Sequence, residues 1–289
     1  MTEIVKLSLS DKLPLTCTRQ GTCCYGKRVS LNPWELACLA RAKEMTAVEF
    51  RDEYCEFGGI RLKFDNEPNA GNQSACSQYH KEKGCLVHNG RPLVCRLFPL
   101  GRQKQGEESL YIYQGKEFPC LNECPGVLSL PKVMVSDYIE GQGAEMFQAA
   151  QDGYLEVMQN LAEAAFVLLL ETGLAASGDK KTLSKWRSLG ESDPRELSGW
   201  IGSEWIDRLM LPENSGDLLD PIPFIQSHNT ALLETVQLKF SALETWEEIS
   251  KASSLLTGMA LLLGHGLGAD CGSLAEHWIQ TAKDNGSCG

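Results

Sequence analysis

Several things are missing from this 289-residue chain. It has no apolar run of the roughly 18 or more residues that a membrane-spanning helix needs. Its longest candidate, residues 164–170, is bounded by Glu163 and Glu171, so no membrane partner is expected. The opening stretch carries Glu3, Lys6, Asp11 and Lys12 and lacks the apolar core of a secretory signal, which leads to the expectation of a cytoplasmic protein. Basic residues are scarce in the second half. Residues 131–289 hold 10 Lys and Arg against 23 Asp and Glu, whereas residues 1–130 hold 17 against 15. Nucleic-acid binding needs a basic face that displaces counterions, and a half this acidic excludes it as a general function. The acidity reads instead as a solvated helical surface, on which a protein partner could dock. Catalytic signatures are missing as well. There is no Gly-rich strand–turn–helix fingerprint, no Gly-x4-Gly-Lys-Ser/Thr loop, no His-Glu-x2-His and no recognisable Ser, His and Asp set. No internal repeat is visible.

Cysteine is not missing, but it is too sparse for a disulfide scaffold. There are 12 in the chain, about 4% of residues against the roughly 8–10% of small secreted scaffolds. In a reducing compartment thiols do not stay paired as disulfides, and ligation of a metal or cluster is the better reading. Ten of the 12 precede residue 125, and eight of these form the candidate ligand pool: Cys17, Cys23, Cys24, Cys76, Cys85, Cys95, Cys120 and Cys124. Thiolates hold zinc or iron–sulfur clusters, four to a site, so eight allow two sites or one site with spare thiols. Cys23 and Cys24 are adjacent, and neighbouring side chains chelate one ion poorly. Arg91 and Arg96 flank Cys95. Guanidinium groups there would offset thiolate charge and donate hydrogen bonds to sulfur, which makes them candidate cofactor-binding residues, with ion pairing to nearby carboxylates as the plainer alternative. His80 and His88 lie between ligand cysteines and are weaker ligand candidates. His228, His265 and His277 sit on or near apolar helices and read as structural. Cys38 and Cys55 read as small core hydrophobes. Cys271 and Cys288 stand alone, and Cys288 reads as a disordered bystander.

The arrangement Cys17-x5-Cys23-Cys24, then Cys76-x8-Cys85-x9-Cys95, then Cys124-Pro125-Gly126, resembles the YkgJ, or CxxCxxCC, cysteine-cluster family. Its most specific element is Arg91-Pro92-Leu93-Val94-Cys95-Arg96-Leu97-Phe98-Pro99. The resemblance covers roughly residues 13–130 and implies a zinc- or iron-chelating domain, often of the iron–sulfur kind. Gln20 stands where the family's opening motif has a cysteine, so that ligand is lost here or supplied by Cys120. His88 stands where the family carries an aromatic residue or histidine. A more distant similarity to flagellin lysine methylase implies a cluster used with S-adenosylmethionine. The resulting expectation is one [4Fe–4S] cluster held by thiols from the pool of eight. Structural zinc in a protein-interaction module is the alternative. A cluster-dependent oxidoreductase or methyltransferase is a third reading.

The fold expectation is α+β. Residues 1–130 form a loop-rich cysteine-cluster domain with short helices and strands, and residues 131–289 form a mainly α-helical, acidic domain. The boundary follows from the change to Leu, Ala, Glu and Gln after Pro125-Gly126. Asn32-Pro33-Trp34-Glu35 and Thr46-Ala47-Val48-Glu49 are capping boxes that start helices near 33–44 and 47–56. Phe50, Tyr54 and Phe57 share one face of the second and should point to the core. Residues 60–64 and 110–113 alternate as strands, and 65–74 reads as a loop. In the second half, Met146, Ala150, Tyr154, Val157, Leu161, Ala164 and Leu168 mark a long amphipathic helix. Asp193-Pro194 starts another and a third covers about 229–263. Gly264, Gly266 and Gly268 break the pattern before a last helix near 273–283.

Overall fold

A computed structural model describes residues 5–15, 24–106, 108–113, 131–175, 179–212 and 219–287. Helix accounts for 60% and strand for 12%, and the strands lie almost entirely in the loop-rich N-terminal region, ahead of a helical C-terminal part. The α+β expectation holds. The chain divides into two compact units that are interleaved in sequence. One comprises Met1–Val29, Cys38–Tyr54 and Leu62–Gln148; the other comprises Ser30–Ala37, Cys55–Arg61 and Ala149–Gly289.

The first unit contains a three-stranded antiparallel sheet with Glu108–Tyr113 in the middle, flanked by Val5–Leu7 and Leu100–Gln105. Tyr113 faces Val5 on one side and Leu100 on the other. The expected strand at 110–113 is therefore present and two residues longer at its start. A second ribbon pairs Lys12–Leu13 with Val133–Met134. The helix Ala47–Tyr54 begins as expected. The Glu49 amide donates to the Thr46 hydroxyl, and the Glu49 carboxylate accepts from the Thr46 amide at 2.9 Å. It ends two residues early, at Tyr54. Phe50 is fully buried, whereas Tyr54 and Phe57 are only half-buried. The chain leaves helical geometry before Phe57, whose φ is +54°, so the helical spacing that joined the three aromatics stops applying. The expected strand at 60–64 shrinks to Arg61–Leu62.

In the second unit, Asn32 and Glu35 close the other capping box around the start of the helix Pro33–Ala42, and both are buried. Leu31 and Leu36, the expected staple pair, have no exposed surface. The helix Glu145–Leu170 is the long amphipathic one. Its buried stripe runs through Phe147, Ala150, Tyr154, Val157, Leu161, Ala165 and Leu169. The expectation was right at the centre and drifted at both ends: Met146 is 46% exposed and Leu168 half-buried. A period of 3.6 residues lets a run of steps of three and four slip by one position over several turns. By length and mean hydropathy (1.2 over 18 residues) this helix could also cross a bilayer, but the core helix of a soluble protein meets the same measure.

Two expectations about the later helices need correction. The single helix over 229–263 is two, Pro221–Phe240 and Trp246–Leu267. Asp220 caps the first through the Ile222 amide, with proline at the first helical position. Thr245 and Glu248 form a capping box that starts the second. The three glycines also behave differently. Gly264 and Gly266 stay inside the helix, and only Gly268, at φ +77°, ends it in the left-handed conformation that favours glycine. Gly266 is needed for contact instead: a Cβ there would sit 2.6 Å from the Leu31 carbonyl oxygen. The last helix, Cys271–Asp284, begins two residues earlier than expected, with Asp270 accepting from the Ser273 amide. Helices at Lys180–Glu191 and Ser203–Met210 were not anticipated.

Candidate metal centre

The first unit brings Cys24, Cys76, Cys85 and Cys95 to the wall of one pocket of about 110 Å³. Each comes from a different piece of chain, and backbone hydrogen bonds fix the first three relative to one another. The Cys76 amide donates to the Cys24 carbonyl at 2.8 Å, and the Gly26 amide donates to the Ser74 carbonyl at 3.0 Å. These bonds lay residues 24–26 antiparallel to 74–76. The chain then turns, with the Tyr79 amide donating to the Cys76 carbonyl, into a small hairpin of Tyr79–His80 and Gly84–Cys85. Tyr79 lies opposite Cys85 in that hairpin, and this register returns Cys85 to the neighbourhood of Cys76. His80 sits at the hairpin end, exposed, where its Nδ1 accepts from the Glu82 and Lys83 amides. It shapes the turn and does not line the pocket.

Cys95 arrives on the short helix Leu93–Leu97. Pro92 precedes the first helical residue, and its carbonyl accepts from the Cys95 and Arg96 amides. Just upstream, Gly90 packs so tightly that an added Cβ would lie 2.5 Å from the Cys38 carbonyl oxygen and 2.7 Å from the Ala42 side chain. Only glycine allows this approach, which seats the Arg91-Pro92 segment against the helix Pro33–Ala42. Cys38 itself is buried and outside the pocket lining, as are Cys55 and Cys271. Cys17, Cys23, Cys120, Cys124 and Cys288 lie outside the described residues, as does Gln20.

The two arginines part company. Arg91 lines the pocket. One of its terminal nitrogens is 2.8–2.9 Å from the His88 ring nitrogens, the other donates to the Gln142 side-chain oxygen, and its Nε is buried without a partner. Arg96 is directed elsewhere. It donates to the carbonyls of Arg91 (2.9 Å), Gln142 (2.6 Å) and Asn89 (2.6 Å), and its guanidinium stacks 3.9 Å from the Phe147 ring centroid. Three carbonyls gathered by one guanidinium make it a clasp for the segment that carries Cys95. His88 also lines the pocket.

Electrostatically the pocket is built for negative charge. Lys27, Arg28 and Arg91 line it, together with apolar walls that include Val29, Leu39, Leu62, Val87 and Phe98, and among the described residues no carboxylate does. The Lys27 ammonium sits 3.4 Å from the Phe98 ring centroid. Burial pushes the Cys76 thiol up to about 11. Nearby Cys85 and Asp65 add to the rise, while hydrogen bonds from the Gln78 amide and the Ser77 hydroxyl oppose it. Near neutral pH that sulfur keeps its proton until a cation takes the proton's place.

Among the described residues no three His, Cys, Asp or Glu side chains converge closely enough to hold one metal ion together. The donor set is nonetheless that of a sulfur-ligated centre: four thiols around one cavity, cations beside them and no hard oxygen ligand. The composition fits a thiolate-held metal group. The cysteines and Arg91 were readable from spacing. Lys27, Arg28 and Gln78 were not, although Lys27-Arg28 follows directly on the cysteine pair and its turn.

No curated protein and no solved structure matches this chain. A family model does match, over residues 16–113, and all four pocket cysteines fall inside that span. Over this segment the chain is similar to the CxxCxxCC family, whose domain is described as a "putative zinc- or iron-chelating domain".

Proposed function

We propose that this chain holds an iron–sulfur cluster, one [4Fe–4S], in the pocket bounded by Cys24, Cys76, Cys85 and Cys95. The observation that carries the reading is the convergence of these four thiols on one cavity whose charged lining is wholly cationic. A zinc ion gathers four thiolates to about 2.3 Å from a single point. The four described thiols lie in the lining of one shared space. A cluster presents its irons at separate corners, so its thiolates stand further apart. Cys17, Cys23, Cys120 and Cys124 complete the pool of eight, enough for a second site.

The bound cluster would supply one-electron redox capacity or a structural cross-link. The chain supplies the rest. Lys27, Arg28 and Arg91 offset the anionic charge of the thiolates. Cys76 must give up its proton on loading, so uptake strengthens as pH rises. A thiol-held centre of this kind calls for a reducing compartment, which supports a cytoplasmic location.

The test is anaerobic purification followed by a visible spectrum with iron, zinc and acid-labile sulfide analysis. Brown protein with iron and sulfide in similar amounts is expected. Colourless protein with stoichiometric zinc would replace the cluster with a structural zinc site.

A further inference from the structure

Gln78 is 1% exposed and lines the thiol pocket, yet its side-chain oxygen has no hydrogen-bond partner. Its nitrogen donates weakly to the Ser77 hydroxyl at 3.3 Å. A buried amide oxygen left unpaired is costly, and here the loss falls beside sulfurs that would be anionic as ligands. The two ends of a carboxamide are exchanged by rotation about its last bond, and their assignment follows from the hydrogen bonds each can make. In one orientation the NH2 group faces the Ser77 hydroxyl and the oxygen has no partner among the described residues. In the other, the oxygen accepts from the Ser77 hydroxyl and the NH2 group faces the sulfurs.

We propose that Gln78 is the buried hydrogen-bond donor of this centre, its carboxamide oriented so that the NH2 group donates to a thiolate sulfur. The inference rests on the metal-centre reading above. A ligating sulfur is anionic, so beside it the donating end of a carboxamide is favoured over the accepting end. The main-chain amide of Gln78 already points at Cys76, so this residue addresses the same sulfur environment from its backbone and its side chain. Gln78 acts through the cysteines and is a positioning residue.

The experiment compares the full-length wild type with Gln78→Met, Gln78→Glu and Ser77→Ala. Each is loaded anaerobically with iron and sulfide and, separately, with zinc. Affinity is read by chelator competition, reduction potential by a spectroscopic titration, and folding by far-ultraviolet circular dichroism. Loss of a hydrogen bond to a ligating sulfur should weaken metal binding by about tenfold in Gln78→Met. It should also move the potential to more negative values, because the electron-rich reduced state loses more from it. Gln78→Glu, which only accepts hydrogen bonds when ionised, should weaken binding further. Ser77→Ala should shift both readouts the same way by less. A folded Gln78→Met protein with wild-type affinity and potential would overturn the proposal. Should that variant not fold, an unchanged potential in Ser77→Ala would overturn it, since Ser77 is the side-chain partner of the amide among the described residues. Failure of the wild type to take up either metal would remove the metal-centre reading and this inference with it.

Discussion

In the second unit, the helix Trp246–Leu267 buries 15 of its 22 residues, including the run from Leu256 to Gly264. In the first unit, residues 74–97, which carry three of the four pocket cysteines, have as their regular elements two-residue strands, a single turn and the five-residue helix Leu93–Leu97. A helix that is apolar nearly all round is held by packing on every side. A hairpin of two-residue strands is marginal by itself in water. The contrast teaches where each region draws its stability. The helical unit is supported by buried apolar area, at about 25 cal/mol per Å². The thiol segment is supported by backbone bonds between distant loops, by the Arg96 clasp and, on the reading proposed here, by the centre its sulfurs hold.

Metal removal is the strongest way to break this comparison. Cys95→Ser should reduce bound metal at least by half. It should also lower hydrogen-exchange protection across residues 74–97 while protection of the helix Trp246–Leu267 is kept, because binding energy in a thiolate site is folding energy for the loops it ties. Full metal content in that variant would remove Cys95 from the ligand set. Cys288→Ser, well away from the matched segment, should leave metal content unchanged.

The converse perturbation should strike only the helical unit. Leu256 has no exposed surface, and Leu256→Ala leaves a cavity that packed neighbours fill only in part. A loss of about 3 kcal/mol in unfolding free energy is expected, with metal stoichiometry unaltered. Loss of metal in this variant would show that the two regions do not stand independently.

Acid should separate the regions by a third route. Burial pulls the His228 pKa down from 6.5 to about 4, with a smaller opposing contribution from its hydrogen bond to the Arg208 carbonyl. Tyr154 is its other partner, at 3.0 Å. A depressed folded pKa means that the stabilisation is present above the unfolded value of about 6.5 and is lost as pH falls towards 4. In that window the unfolded chain takes up a proton that the folded one refuses. At about 1.4 kcal/mol per pH unit the loss reaches roughly 3 kcal/mol. His265, also lowered by burial, adds in the same direction. Denaturant midpoints measured between pH 7 and 4 should fall, and His228→Gln should flatten the slope. An unchanged slope in that variant would place the acid sensitivity elsewhere.

How much of this was legible beforehand follows the same division. Local signals were reliable: Asn32 with Glu35, Thr46 with Glu49 and Asp193 before Pro194 each start a helix where their side chains can satisfy free amides. Cysteine spacing marked the ligand pool, and four of its eight members share one pocket. What spacing does not encode is which way a long side chain turns. Arg91 and Arg96 both flank Cys95 in sequence, but one lines the pocket and the other gathers three carbonyls. That outcome depends on Gln142 and Asn89 arriving from elsewhere in the fold. Gln78 was invisible for the same reason, since a glutamine two residues from a cysteine carries no mark of being buried.

The smallest expected effect comes from a signal that was in the sequence and went unread. Thr245-Trp246-Glu247-Glu248 is a capping box inside what the apolar pattern alone joined into one helix, and it starts a new one. The Thr245 hydroxyl accepts from the Glu248 amide, and the Glu248 carboxylate accepts from both the Thr245 amide and its hydroxyl. Those bonds hold the Glu248 carboxyl below its ordinary pKa. Thr245→Ala removes the hydroxyl that serves both, and an N-cap of this type contributes about 1 kcal/mol. The thermal midpoint of the helical unit should fall by a few degrees, with the visible spectrum and metal content of the thiol centre unmoved. A fall of Leu256→Ala size would mean that the break at 241–245 organises the helical packing as well as starting a helix. No fall at all would mean that burial of the following turns fixes the helix start, and that the box merely fits it.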